Sequence, residues 1–268
     1  MSDFPQILFP LLLTTFAGLA TGIGGLIVLM SKKPNPRVLS VALGFSAGVM
    51  IYVSMIEIFP KARLSLTPDY GEKLAYVLTT LLFFGGIFLI ALIDKLVPSF
   101  ENPHEIHELK DMEKAVDRDK LLRMGLFSAL AIGIHNFPEG LATFFSAMDD
   151  TGIGLSIALA VAIHNIPEGI AVAIPVLYAT NSRRKAFGYS LLSGLSEPVG
   201  AVIGVLVLLP VFSPAMLGFS FAMVAGIMVF ISLDQLLPTA EKYGEHHLAI
   251  YGLISGMAVM ATSLVLLS

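Results

Sequence analysis

Apolar runs about 20 residues long or longer, separated by short polar stretches, follow one another along almost the whole chain, approximately over 5–30, 38–60, 74–98, 121–147, 152–178, 185–209, 212–238 and 248–267. A helix needs roughly 20 mainly apolar residues to cross the hydrocarbon of a bilayer. The pattern therefore predicts an all-α polytopic membrane protein with eight transmembrane helices. One transmembrane domain would occupy residues 1–268, and the only long polar stretch, 99–120, reads as a cytoplasmic loop or short amphipathic helix between the third and fourth spans. MSDFPQ carries no positive charge ahead of the first run, whereas Lys32, Lys33 and Arg37 follow it. That order predicts a retained helix entering from outside rather than a cleaved signal.

Basic residues orient the spans. With the amino terminus outside, 13 of the 16 Lys and Arg fall in inner segments, and only Lys61, Arg63 and Lys73 fall in outer ones. The positive-inside rule then places both termini away from the cytoplasm, in a cytoplasmic (inner) membrane. Composition agrees, with 56% of residues hydrophobic, 13% charged and a mean hydropathy of +0.83. The net charge of −4 comes with no basic stripe, which argues against a nucleic-acid partner. Cysteine is absent. Disulfides, thiolate metal sites and cysteine nucleophiles are thereby excluded, and any metal must be held by imidazole, carboxylate, amide, thioether or water.

The chain resembles itself. AGVMIYVSMIEIFPKA (47–62) aligns with AGIMVFISLDQLLPTA (225–240), and GLATGIGG (18–25) aligns more weakly with GLSEPVGA (194–201). These segments lie on spans of opposite direction, so helices 1–3 and 6–8 are expected to form an inverted-topology repeat around helices 4 and 5, a 3+2+3 plan typical of secondary transporters. Glycines four apart, at Gly18/Gly22, Gly44/Gly48, Gly200/Gly204 and Gly252/Gly256, would let helices approach closely.

The two central spans carry the same hexapeptide, HNFPEG at 135–140 and HNIPEG at 164–169. On a helix His135, Asn136 and Glu139 point at about 0°, 100° and 40°, so all three face one way. His164, Asn165 and Glu168 repeat that face. Imidazole and carboxylate one turn apart can share a cation. Pro138 and Pro167 cannot donate to the carbonyls of Ile134 and Ile163, so each helix is expected to bend and leave a carbonyl underused beside the polar face. In hydrocarbon that is tolerated only against protein or a watery cavity. Glu197, ahead of Pro198 in the next span, lies at the same depth. A charge at the membrane centre costs at least about 2.5 kcal/mol, and a cation shared by three carboxylates compensates. Glu57 and Asp234, near Pro60 and Pro238, are candidate waypoints for an ion. Met50 and Met228 read as packing. HEIH (104–107) is a candidate metal-binding stretch in the inner loop.

These residues resemble the ZIP (Zrt/Irt-like) divalent metal transporters, specifically their bacterial branch, over all eight spans. The resemblance implies uptake of Zn²⁺, together with Fe²⁺, Mn²⁺, Co²⁺ and Cd²⁺, into the cytoplasm. It places the metal ligands on His135, Asn136, Glu139, His164, Asn165, Glu168 and Glu197. Some family members carry Gln and Asp where this chain has His164 and Asn165, which removes one carboxylate from the set. The divalent ion is then cargo, no catalytic cofactor is expected, and the remaining partners are the bilayer and, as one option for an open oligomeric state, a homodimer. Two other readings use the same site. A passive channel would show large unitary currents in place of saturable flux. An intramembrane metallohydrolase would need a general base beside a three-ligand set, and the chain has no HExxH. Three carboxylates close together repel one another, so at least one is expected to hold a proton that metal displaces.

Overall fold

The computed structural model describes residues 4–30, 36–96, 118–208, 213–243 and 246–267, and the described residues with regular structure are all helical. The elements are α1 (Phe4–Met30), α2 (Pro36–Val53), α3 (Phe59–Leu96), α4 (Arg118–Asp149), α5 (Thr151–Thr180), α6 (Arg183–Gly194), α7 (Ser196–Ile203), α8 (Pro214–Ile231), α9 (Leu237–Tyr243) and α10 (His246–Leu267). Almost all of the 99–120 stretch, including His104 and His107, lies outside the described residues. Six described stretches are long and apolar enough to cross a membrane: Ile7–Met30, Arg37–Lys95, Thr151–Thr180, Arg183–Val207, Ala215–Lys242 and His246–Leu266.

Arg37–Lys95 covers two of the eight apolar runs and folds back on itself. Phe59 and Phe83 stack edge to face with ring centroids 5.5 Å apart, and the Arg63 guanidinium lies 5.6 Å from the Tyr76 ring. A straight helix would separate residues 59 and 83 by about 36 Å. Gly71 makes the reversal, with φ 72° and ψ 161°, a conformation that a side chain would forbid.

Proline shapes the repeat-related spans in a way the sequence pattern does not announce. Just before Pro60 the helix widens into a π turn over Ser54–Ile58, closed by the Phe59 N–H donating to the Ser54 carbonyl. Just before Pro238 the same widening occurs over Ser232–Leu236, closed by Leu237 donating to Ser232. A proline ring collides with the carbonyl four residues back, and one extra residue in the turn relieves that crowding. By contrast, α4 and α5 remain α-helical through Pro138 and Pro167.

The helices fall into two kinds of grouping. One bundle contains α1, α4, α5, α6 and α7, each packed on several of the others. Beside it stand two tight pairs, α2 with α10 and α3 with α8. Glycine decides these contacts. A Cβ on Gly48 would collide with the Leu253 carbonyl, and one on Gly226 would collide with that of Phe83; Gly256 against Phe45 and Gly86 against Met223 form a second such set. The α2–α10 contact thus has a counterpart between α8 and α3. Gly18 and Gly194, which also correspond in the repeat, each lie against the other's carbonyl. Met50 and Met228 are buried in the hydrophobic core, as the packing reading required.

Candidate metal site

Short caps set the depth of the hexapeptides. Asp150 is the whole connection between α4 and α5, and its carboxylate accepts from the Ile153 N–H at 2.8 Å. With so tight a turn, residues equally far from it along the two helices lie at nearly equal depth. Glu139 and His164 are about 16 and 21 Å from the turn along their axes. After α5, Asn181 closes the helix in the left-handed conformation, φ 50°, and Ser182 caps α6. Pro198 has no N–H for the Gly194 carbonyl; α6 ends at Gly194 and α7 begins at Ser196, placing Glu197 in the first turn of the new helix.

These constraints bring three helices together. His164 Nε2 lies 3.3 Å from Glu139 Oε1 and 3.4 Å from Oε2, joining α5 to α4. The Asn165 amide donates to Glu197 Oε1, joining α5 to α7, and to the Ala17 carbonyl of α1 at 2.9 Å. The Asn136 amide donates to the Ser193 carbonyl at 3.3 Å, and Ser46 of α2 donates to the His164 carbonyl at 3.3 Å. Glu197 is within electrostatic reach of both Glu139 and Glu168. Asn136, Glu139, His164, Asn165, Glu168 and Glu197 are each 1% exposed or less. The His135 side chain lies outside the described residues. Among the described residues no three His, Asp or Glu side chains already stand in a metal-binding cluster. What is present is a latched arrangement, in which carboxylates hold imidazole and amide partners.

Several acceptors face this interior without a hydrogen-bond partner among the described residues: Asn136 Oδ1, Asn165 Oδ1 and Glu197 Oε2. Burying such atoms unpaired costs about 1–3 kcal/mol each. Carbonyl and carboxylate oxygens beside an imidazole are the donor types that first-row divalent ions take.

Sequence reasoning passed over the last letter of each hexapeptide. A Cβ on Gly140 would collide with the Glu197 carbonyl, and one on Gly169 with that of Thr21. The two glycines bring α7 against α4 and α1 against α5. Their signal was available, since the glycine recurs as faithfully as the histidine. Of the candidate waypoints, Asp234 is exposed, whereas Glu57 is half-buried near Lys61 and Asp150. Lys61 pairs with Asp149 at 3.2 Å, tying the start of α3 to the end of α4.

Known proteins with this sequence pattern are transporters by name. The family profile described as ZIP Zinc transporter matches residues 7–121 and 99–264. A protein named zinc transporter ZupT from Chlorobaculum parvum is 63% identical over 99% of each chain. Proteins of the same name from Chlorobium chlorochromatii and Streptococcus mutans are 62% identical over 97% of this chain and 98% of theirs, and 61% identical over 95% and 96%.

Proposed function

The chain belongs to the ZIP zinc transporter family, and from that premise we propose that it carries Zn²⁺ across the membrane through the polar cluster at the centre of its helices. It is a multi-pass protein of the cytoplasmic membrane and a transporter, not an enzyme. The observation that carries the proposal is the convergence of Glu139, His164, Asn165 and Glu197 from three helices, fully buried. In the proposal His135, Asn136, Glu139, His164, Asn165, Glu168 and Glu197 bind the ion, which enters from outside partly dehydrated and exchanges the present hydrogen bonds for coordinate ones. Fe²⁺, Mn²⁺, Co²⁺ and Cd²⁺ satisfy the same donor set and belong to the proposed range.

For the topology we propose the 3+2+3 plan of eight spans with both termini outside. It is supported by the fold-back at Gly71, the π turns before both Pro60 and Pro238, and the duplicated glycine contacts. For the mechanism we propose alternating access, with the moving boundary between the site-bearing bundle and the two helix pairs. Among the described residues, every collision of an added Cβ with backbone falls within the bundle or within a pair, and none falls across the boundary. Backbone contact locks helices together, whereas side-chain contact lets them slide.

Purified protein in liposomes provides the test. Zn²⁺ uptake is expected to saturate, to be competed by Fe²⁺, Mn²⁺ and Cd²⁺, and to give no unitary currents in planar bilayers; channel-like conductance would overturn alternating access. Displacement of a proton from the three carboxylates predicts a further result, a change of lumenal pH that accompanies zinc flux. Zinc uptake with lumenal pH unchanged would remove proton coupling from the mechanism.

A further inference from the structure

A crevice of about 660 Å³ separates α3 and α8 from α4, α6 and α7. It is lined by Ile90 and Ile93 on one side and by Leu130, Phe137 and Leu192 on the other, with Pro138 of the first hexapeptide also on its wall. Its volume falls within the range of about 300–1,000 Å³ common to ligand pockets. Leu130 and Leu192, on its lip, are 57% and 63% exposed, so the opening faces the hydrocarbon of the bilayer. Its two serines already have partners: Ser193 donates to the Ser190 carbonyl at 2.8 Å, and Ser196 to that of Ser193 at 2.5 Å.

Water does not fill such a space, because apolar cavities stay dry, and leaving it empty forfeits dispersion contacts along both walls. The surrounding medium supplies acyl chains. A chain gains little by leaving the bilayer for leucine side chains, which are no more apolar than lipid, so lasting occupancy needs a second attachment. Lys185 provides one. It continues the face of α6 formed by Tyr189, Leu192 and Ser193 by one further turn, is exposed, and belongs to the basic run Arg183–Lys185. A second apolar crevice, of about 500 Å³, repeats the design, with Pro167 of the other hexapeptide and Arg37 both on its lining.

We propose that the larger crevice seats one acyl chain of an anionic phospholipid, with its headgroup at Lys185 and its tail ending beside Pro138. This assignment does not depend on which ion is carried; only the leaflet that the lipid belongs to, cytoplasmic if Lys185 faces the cytoplasm, rests on the orientation proposed above. The chain would lie at the boundary between the site-bearing bundle and the α3–α8 pair, and so would be displaced or squeezed when the two move.

Gly133 gives a means of filling the crevice without disturbing the fold, because the nearest atom to an added Cβ is Ser196 Oγ at 3.9 Å. Protein reconstituted in bilayers of phosphatidylglycerol and phosphatidylethanolamine, then extracted and weighed intact by native mass spectrometry without metal, reads the bound lipid directly. Wild type is expected to retain phosphatidylglycerol, Gly133→Leu to retain one phospholipid fewer per chain, and Lys185→Gln to lose roughly tenfold in its preference for phosphatidylglycerol. Leu130→Trp, on the exposed lip, provides a second block should Gly133→Leu fold poorly. Wild type that retains no phospholipid, lipid counts unchanged in both blocked variants, or a headgroup preference unmoved in Lys185→Gln would each overturn the assignment. Because no metal is present, these outcomes are independent of whether zinc is transported.

Discussion

Glu168→Ala and Glu139→Ala are each expected to reduce zinc uptake into proteoliposomes by at least about 100-fold, while leaving membrane insertion intact. Altering groups that merely support a metal ligand costs about 10–100-fold in affinity or activity, and these two carboxylates are proposed to touch the ion. The variants should separate in stability. Glu139→Ala takes the carboxylate from beside His164 Nε2, where the two now lie 3.3 Å apart in a fully buried setting, and removing such a partner costs about 1–3 kcal/mol. Glu139→Gln keeps the shape and a hydrogen-bonding group, so it should recover much of that stability and little of the transport. Initial zinc uptake rates, with thermal unfolding of the same preparations in detergent, check both. Wild-type uptake by either alanine variant would dismiss the midplane site.

How much of this was legible in the sequence differs from residue to residue. The doubled hexapeptide announced paired polar faces on consecutive helices, and the structure joins them directly, through Glu139 and His164. The internal repeat was visible in AGVM and AGIM because glycines that carry backbone contacts tolerate no replacement, and those at 48 and 226 hold equivalent positions. The prolines were harder to interpret. All of them delete a donor, yet the structure answers with a π turn before Pro60 and Pro238, a helix boundary before Pro198, and an uninterrupted α-helix through Pro138 and Pro167. Which response occurs depends on what packs alongside, and that is long-range information. The partners of the site were hidden for the same reason. Ala17, Ser46 and Ser193 contribute through backbone carbonyls or a single hydroxyl, and no side-chain pattern marks a carbonyl for such use. The division into a bundle and two pairs was equally out of reach, since it cuts across the repeat that the sequence displays.

The second large effect is expected at Gly140 and Gly169, where one added carbon should damage transport without altering any of the proposed ligand side chains. Alanine within a helix is favoured over glycine by up to about 1 kcal/mol, so Gly→Ala at an uncrowded helical site should stabilise. Gly85, with nothing near an added Cβ, serves as that control. At Gly140 the added carbon meets the Glu197 carbonyl oxygen and, at 2.6 Å, its Cα, and at Gly169 it meets the Thr21 carbonyl. These are backbone atoms and cannot rotate aside. Overpacking costs typically 1–3 kcal/mol, which exceeds the propensity gain, so both variants should be net destabilised and melt below wild type while Gly85→Ala does not. The functional loss should be larger than the stability loss suggests. Gly140→Ala pushes α7 away from α4, and Glu197 rides on α7; a ligand displaced by even 1 Å can cost about 100-fold. Uptake normalised to folded protein distinguishes the outcomes. Normal zinc affinity and rate in Gly140→Ala would mean that Glu197 does not need to be held against α4, and that its place among the ligands is wrong.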